Sequence, residues 1–378
     1  MLTETVERLR KARRVVVKVG SNVLTQKRGL NHQAVQSISR QICQLIDNKR
    51  EIILVSSGAM ASGLGKVGFD QRPEEIPKRQ AIAAIGQAGL IMEYENAFAE
   101  YEKKVAQILL TSEDLSSRKR YLNARNTLYT LLSWQVVPII NENDTIMVEE
   151  IKVGDNDNLA AMITLLMDAD LLISLTDIDG LFNKDPRTQP DAELITTVET
   201  ITKHIQNIAG GIPGPLGTGG MLSKIKAARK VTAVGIPMII ANGGQPDVLV
   251  RLFEGHLHGT YFVPKTGRLA SRKRWIGFTL KPQGAIAIDK GAANAVLKKG
   301  KSLLPSGIIA VEGDFGIGAP VEVRTADNEV LATGLVNYGA VEIRQIKGLK
   351  SGQIKGCLGH KPYDEVIHRN NLVVTIDR

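Results

Sequence analysis

Residues 136–167 read VVPIINENDTIMVEEIKVGDNDNLAAMITLLM, and the order of textures in this stretch decides the fold class. Val136-Val137-Pro138-Ile139-Ile140 is apolar and strand-like, Leu159 to Met167 is helix-like, and two polar clusters lie between them. The first, Asn141-Glu142-Asn143-Asp144, follows the strand directly; the second, Asp155-Asn156-Asp157-Asn158, opens the helix. This layout predicts amide and carboxylate side chains at the carboxyl end of a parallel strand and at a helix N-terminus. Those are the two places where open α/β sheets bind polar ligands. Asn and Asp together both donate and accept hydrogen bonds, which suits an α-amino acid with its ammonium and carboxylate. One cluster alone would read as a polar loop with Asx-turns and an N-cap. Two flanking one connection favour a site.

The same alternation extends outward through the first two-thirds of the chain. Strand candidates are Val15–Val19, Ile52–Val55, Val105–Leu110, Val136–Ile140, Leu171–Leu175 and Pro237–Ala241. Between them lie helix-length segments such as Asn31–Lys49, Lys78–Tyr101, Arg120–Trp134, Asn156–Met167 and Lys224–Val234. Apolar strands joined by helices predict a mostly parallel sheet between two helix layers, a three-layer αβα sandwich. After Pro264 the runs become short and alternating (Ala285–Ile288, Ile308–Val311, Pro320–Arg324, Val330–Val336), with one helix near Ala292–Lys299. That pattern predicts a small β-barrel-like domain. The expected division is residues 1–263, a basic linker over 264–277, and residues 278–378.

Charge follows this division. Residues 1–263 carry 30 basic and 29 acidic side chains, the linker has a net charge of +5 with no acid, and residues 278–378 have a net charge of +3. A basic excess of this kind is either a nucleic-acid footprint or a solvated connector. The charged opening MLTETVERLRKARR is neither a signal peptide nor a membrane anchor, and no run approaches the ~18 uncharged apolar residues of a span. Cys43 and Cys357 stand alone in their halves, which fits a reducing cytoplasm and leaves no disulfide framework or cysteine zinc site. Six scattered histidines, His256 and His258 among them, form no metal-ligand pattern.

Several strand ends carry chemistry. Lys18-Val19-Gly20-Ser21 closes the first strand, and an ammonium there suits a phosphate cradled by backbone amides. A surface lysine would look the same in isolation. Ser56-Ser57-Gly58-Ala59 closes the second, where small residues let a substrate approach the backbone; an ordinary strand-to-helix turn reads alike. Gly63-Leu64-Gly65-Lys66-Val67-Gly68 matches a dinucleotide fingerprint, but it starts too far past the strand and Phe69-Asp70-Gln71-Arg72-Pro73 follows it. Thr176-Asp177 at the end of Leu171–Leu175 either holds part of a nucleotide or caps a turn. Gly217-Thr218-Gly219-Gly220-Met221-Leu222-Ser223-Lys224 is the sharpest phosphate signal. Its amides and helix N-terminus would meet phosphate oxygens, and Lys224 would add a mobile positive charge.

Taken in order, VVVKVGS (15–21), VSSGAM (55–60), NENDT (141–145), IKVGDNDN (151–158), LTDIDGLFNKDPR (175–187) and GTGGMLSK (217–224) make the chain resemble the amino acid kinase family over nearly its whole length. The pairing of NENDT with IKVGDNDN is similar to the branch that phosphorylates glutamate rather than to aspartokinases, acetylglutamate kinases or uridylate kinases. The last hundred residues resemble a PUA domain. The resemblance implies transfer of the γ-phosphoryl group of ATP, carried with Mg²⁺, to the γ-carboxylate of L-glutamate in proline biosynthesis. It also implies roles. Lys18 and Lys224 would take the charge on the transferring group, oriented by Asp157. Ser57, Asn141, Asp144 and Asn156 would grip glutamate. Lys18, Thr176, Asp177, Thr218, Gly219, Gly220, Met221, Leu222, Ser223 and Lys224 would hold the nucleotide, with no metal ligand from the protein. Family behaviour further implies proline as a feedback inhibitor and a homo-oligomer in the cytoplasm, with no membrane partner. The competing readings are an RNA-binding or RNA-modifying protein acting through the PUA-like tail, and a sibling kinase of another acidic amino acid.

Overall fold

The computed structural model describes residues 2–26, 29–69, 71–146, 156–210, 220–265, 276–277 and 280–374. The chain forms two compact units, Met1–Arg268 and Leu269–Arg378. Most of the expected linker, residues 264–277, lies outside the described residues.

The strands of the first unit are β1 (Arg14–Val19), β2 (Glu51–Ser56), β3 (Lys104–Leu110), β4 (Val136–Glu142), β5 (Leu171–Thr176), β6 (Thr197–Val198), β7 (Met238–Asn242) and β8 (Thr260–Phe262). They form one sheet in the order β3-β4-β2-β1-β5-β7-β8-β6, and every pairing is parallel except β7 with β8. All six expected strands are present. β6 and β8, two and three residues long, are too short to show a period of two.

That period decides what β1 offers to each side. Val15, Val17 and Val19 join a core with Ile38 and Ile42 of helix His32–Asp47 and Leu249 and Leu252 of helix Val248–Glu254. Successive side chains alternate across a strand, so Val16 and Lys18 face the opposite layer. There Lys18 meets Asp157, in the first turn of helix Asn156–Leu166. β1 is also where strand order turns, because β2 flanks it on one side and β5, reached only after β4, flanks it on the other. The carboxyl ends of β1, β2, β4 and β5 therefore open at a topological switch point, the usual ligand crevice of such sheets.

Helix Ala59–Val67 starts directly after β2 and lies against helix Ile76–Ala99. Their approach depends on two glycines. A Cβ on Gly86 would sit 1.7 Å from the Ala59 carbonyl oxygen, and one on Gly63 would sit 1.9 Å from that of Ile82. The glycine pattern at 63–68 is thus a helix-packing surface and its C-terminal stop, which explains why it precedes no helix.

In the second unit, β9 (Gly284–Ile288), β10 (Ile308–Glu312), β11 (Pro320–Arg324), β12 (Val330–Leu335) and β13 (Leu372–Val374) form a sheet in the order β10-β9-β11-β12-β13. Helix Lys290–Lys299 is capped by Asp289, whose carboxylate accepts from the Ala292 N–H at 2.7 Å. Ile286, Val321, Val323, Tyr338 and Ile343 centre this unit's own core.

Gly86→Ala should destabilise the first unit by about 1–3 kcal/mol or more through overpacking at Ala59. A thermal unfolding midpoint several degrees below that of the parent would bear this out, and an unchanged midpoint would contradict the packing.

Candidate active site

Three segments far apart in sequence meet at one carboxylate. Lys18 Nζ lies 2.8 Å from Asp157 Oδ1, and Lys224 Nζ lies 3.2 Å from Asp157 Oδ2. Ser223 Oγ donates to Oδ2 at 2.6 Å, and Ser174 Oγ donates to Oδ1 at 3.4 Å. Lys18, Asp157 and Lys224 are 5, 3 and 4 % exposed. Ionised groups so far from water require partners. Burial by itself would push the Asp157 carboxyl up. The Lys18 and Lys224 ammonium charges, with hydrogen bonds from Lys18 and Ser223, overcome that and hold it well below the usual carboxylate range. The amides at the start of helix Asn156–Leu166 further favour negative charge there. Two buried ammonium groups thus meet at one carboxylate.

Beside it sits the amide cluster. Asn156 Nδ2 reaches three acceptors: the Ser56 carbonyl at 3.2 Å, Ser57 Oγ at 3.0 Å and Asn141 Oδ1 at 2.9 Å. Asn141 Oδ1 also accepts from the Glu142 N–H at 2.9 Å. Ser57 just past β2, Asn141 in β4 and Asn156 at the start of helix Asn156–Leu166 are thereby locked together. Asn156 Oδ1 is buried and has no partner among the described residues. A buried acceptor without a donor is costly, and a ligand donor would relieve that cost. Asp144 is half-buried just past β4. Burial raises its carboxyl to about 6, against the opposing pull of the Arg72 guanidinium.

The third edge is formed by the end of β5 and the start of helix Met221–Thr232. Thr176 Oγ1 donates to Asp177 Oδ1 at 3.0 Å, while Asn22 Nδ2 donates to Asp177 Oδ2 at 2.9 Å. Gly220 precedes the helix in an extended conformation, and Met221, Leu222 and Ser223 occupy its first turn with Lys224. Of the expected nucleotide-binding residues, Thr218 and Gly219 lie outside the described residues, as does Asp155 of the second polar cluster.

Reading the sequence alone overlooked Asn22, Arg72 and Ser174. Ser174 had a signal: it is the one polar residue within the apolar run of β5, and it pairs in register with Lys18. Asn22 and Arg72 had none, since their partners are 155 and 72 residues away along the chain.

Comparison with known proteins places the chain in a family. The profile of the amino acid kinase family matches residues 13–242, and that of the PUA domain matches residues 284–358. The chain is 51% identical to the glutamate 5-kinase of Caldanaerobacter subterraneus subsp. tengcongensis, covering 96% of this chain and 97% of the relative. It is 50% identical to that of Geobacter sulfurreducens, covering 97% and 98%. Among solved structures, a carbamate kinase from Giardia lamblia superposes with a TM-score of 0.50 at 15% identity, over 68% of this chain and all of that one, which is a likeness of fold. The chain belongs to the amino acid kinase family and, within it, to the glutamate 5-kinases.

The shared carboxylate makes an asymmetric prediction. Asp157→Asn removes the carboxylate that both buried ammonium groups contact and should cost about 3–5 kcal/mol of stability. Lys224→Met keeps the Lys18–Asp157 pair and should cost less. Denaturant unfolding of the two variants checks the order, and a larger loss for Lys224→Met would contradict the geometry.

Proposed function

We propose that the chain transfers the γ-phosphoryl group of ATP to the γ-carboxylate of L-glutamate, giving γ-glutamyl phosphate and ADP, the first step of proline biosynthesis. The observation that carries this reading is the buried pair of lysines on Asp157, set beside an amide cluster with an unsatisfied acceptor. A γ-carboxylate oxygen attacks the γ-phosphorus as the bond to the β-phosphate oxygen breaks, and ADP leaves with that electron pair. A carboxylate is already ionised at neutral pH, so no general base is needed, and catalysis reduces to alignment and charge neutralisation. Lys18 and Lys224 neutralise the transferring group, with Asp157 holding both in place. Ser57, Asn141, Asp144 and Asn156 hold glutamate, the Asn156 Oδ1 acceptor and the Asp144 carboxylate being suited to its ammonium. Thr176, Asp177 and the segment from Thr218 to Lys224 hold the nucleotide. The nucleotide would enter as MgATP, its hard cation held by phosphate oxygens and water.

The finer assignments belong to the same reading. Residues 1–263 carry the reaction, residues 264–277 link, and residues 278–378 form the PUA unit, which adds nothing to the reacting groups. The enzyme works in the cytoplasm as a homo-oligomer under feedback by proline. Among the described residues no helix is long and apolar enough to cross a membrane.

Three measurements test this reading. With MgATP and L-glutamate, hydroxylamine should trap the acyl phosphate as a hydroxamate; ADP release with aspartate but none with glutamate would overturn the substrate. Asp144 must be ionised to meet an ammonium, and its carboxyl sits at about 6. The KM for glutamate should therefore rise as pH falls through about 6 and stay low above it. Asp144→Asn should raise that KM at neutral pH and flatten its pH dependence, leaving the KM for ATP nearly unchanged. A shortened chain ending near Pro264 should keep glutamate-dependent ADP release. A folded but inactive one would place part of the site in the PUA unit.

A further inference from the structure

Ser223 stands among the residues expected to hold the nucleotide, yet its hydroxyl is already engaged elsewhere. Ser223 Oγ lies 2.6 Å from Asp157 Oδ2 and 2.8 Å from the Gly220 carbonyl oxygen. A hydroxyl has one proton to donate, so these two acceptors compete for it. The Gly220 carbonyl already accepts from Ser223's own backbone N–H at 3.2 Å. The carboxylate is charged and closer, and charge-assisted hydrogen bonds are the stronger ones. The proton therefore points to Asp157.

Lys224, the next residue, meets the same Oδ2 atom at 3.2 Å. Two consecutive side chains of one helix turn thus close on one carboxylate oxygen. Asp157 Oδ1, facing the other way, holds Lys18. Rotation of the carboxylate about its terminal torsion would shift the oxygen that each lysine contacts, and such torsions are broad unless hydrogen bonds fix them. Among the described residues, Oδ2 has one other partner, the lysine whose position is at stake. On Oδ1 the Ser174 hydrogen bond, at 3.4 Å, is long.

Resting on the proposed phosphoryl transfer, we infer that Ser223 is a positioning residue. Its hydroxyl sets the rotation of the Asp157 carboxylate, and through it the placement of Lys18 and Lys224, and it does not bind a phosphate oxygen. Its effect belongs to the chemical step, because misplacing charge around a transferring group lowers the rate more than it weakens ground-state binding.

The test uses the full-length protein with Ser223→Ala, Ser223→Thr and Ser223→Cys, assayed for hydroxamate formation and for the KM of each substrate. Ser223→Ala should lower kcat about 10-fold to 10²-fold, the scale of a small misplacement, with the KM for ATP within about threefold of the parent. Ser223→Thr keeps the hydroxyl and should recover most of kcat. If the alanine variant does not fold, Ser223→Cys takes its place, since a thiol is a weak donor and should give the same loss of kcat at an intact KM for ATP. A raised KM for ATP with unchanged kcat would mean that the hydroxyl binds phosphate, and would overturn the inference. So would parental kinetics for Ser223→Ala, or a threonine variant as slow as alanine. Failure of the parent protein to form any glutamate-dependent hydroxamate would instead overturn the proposed reaction, which keeps the two failures apart.

Discussion

Everything at the head of the sheet is arranged around one carboxylate that must satisfy two ammonium groups out of contact with water. An ion pair at that depth contributes little net stability, because desolvating the charges offsets their attraction. In the proposed reaction the arrangement serves as a site held ready for an anion. Preorganised charge acts most strongly where water is excluded, and it needs no rearrangement as the reaction proceeds. The cost of burying Lys18, Asp157 and Lys224 together is offset by the apolar burial of the first unit as a whole.

The fold supplies that arrangement through elementary geometry. Lys18 reaches the site because it shares a parity with Val16 and the strand is buried on both faces. Asp157 does so because it occupies the first turn of a helix laid over that strand. Lys224 and Ser223 follow from a second helix start, packed against the first and ending a glycine-rich segment. The switch in strand order at β1 leaves a crevice between these helix starts, and Asn141, Ser57 and Asn156 converge there. Small residues keep it open: a Cβ on Gly20 would press to 3.2 Å from the Leu175 carbonyl oxygen.

What could be read in advance followed from periodicity and residue type. The strands that bear the site were visible as apolar runs of five or six residues, and the polar residues at their ends were visible as exceptions to those runs. Helix Ala59–Val67 was not, because its glycines lower helix propensity; the close approach of Gly63 to Ile82 shows why one of them is there. Strands β6 and β8 were hidden by their brevity. The same limit applies to the site. That Asp157 orients Lys18 and Lys224 came from the family resemblance alone; the contact itself is a fact of distance, across 67 residues for Lys224. The Arg72 charge near Asp144 and the orphaned Asn156 Oδ1 likewise have no local signature.

The central claim is that the two lysines on Asp157 act on charge that develops during transfer, and do not merely hold bound substrate. Steady-state kinetics of Lys224→Ala with saturating MgATP test it most directly. The account predicts a fall in kcat of about 10²–10³ with the KM for glutamate changed only a few-fold. A near-parental kcat with a greatly raised KM would contradict it.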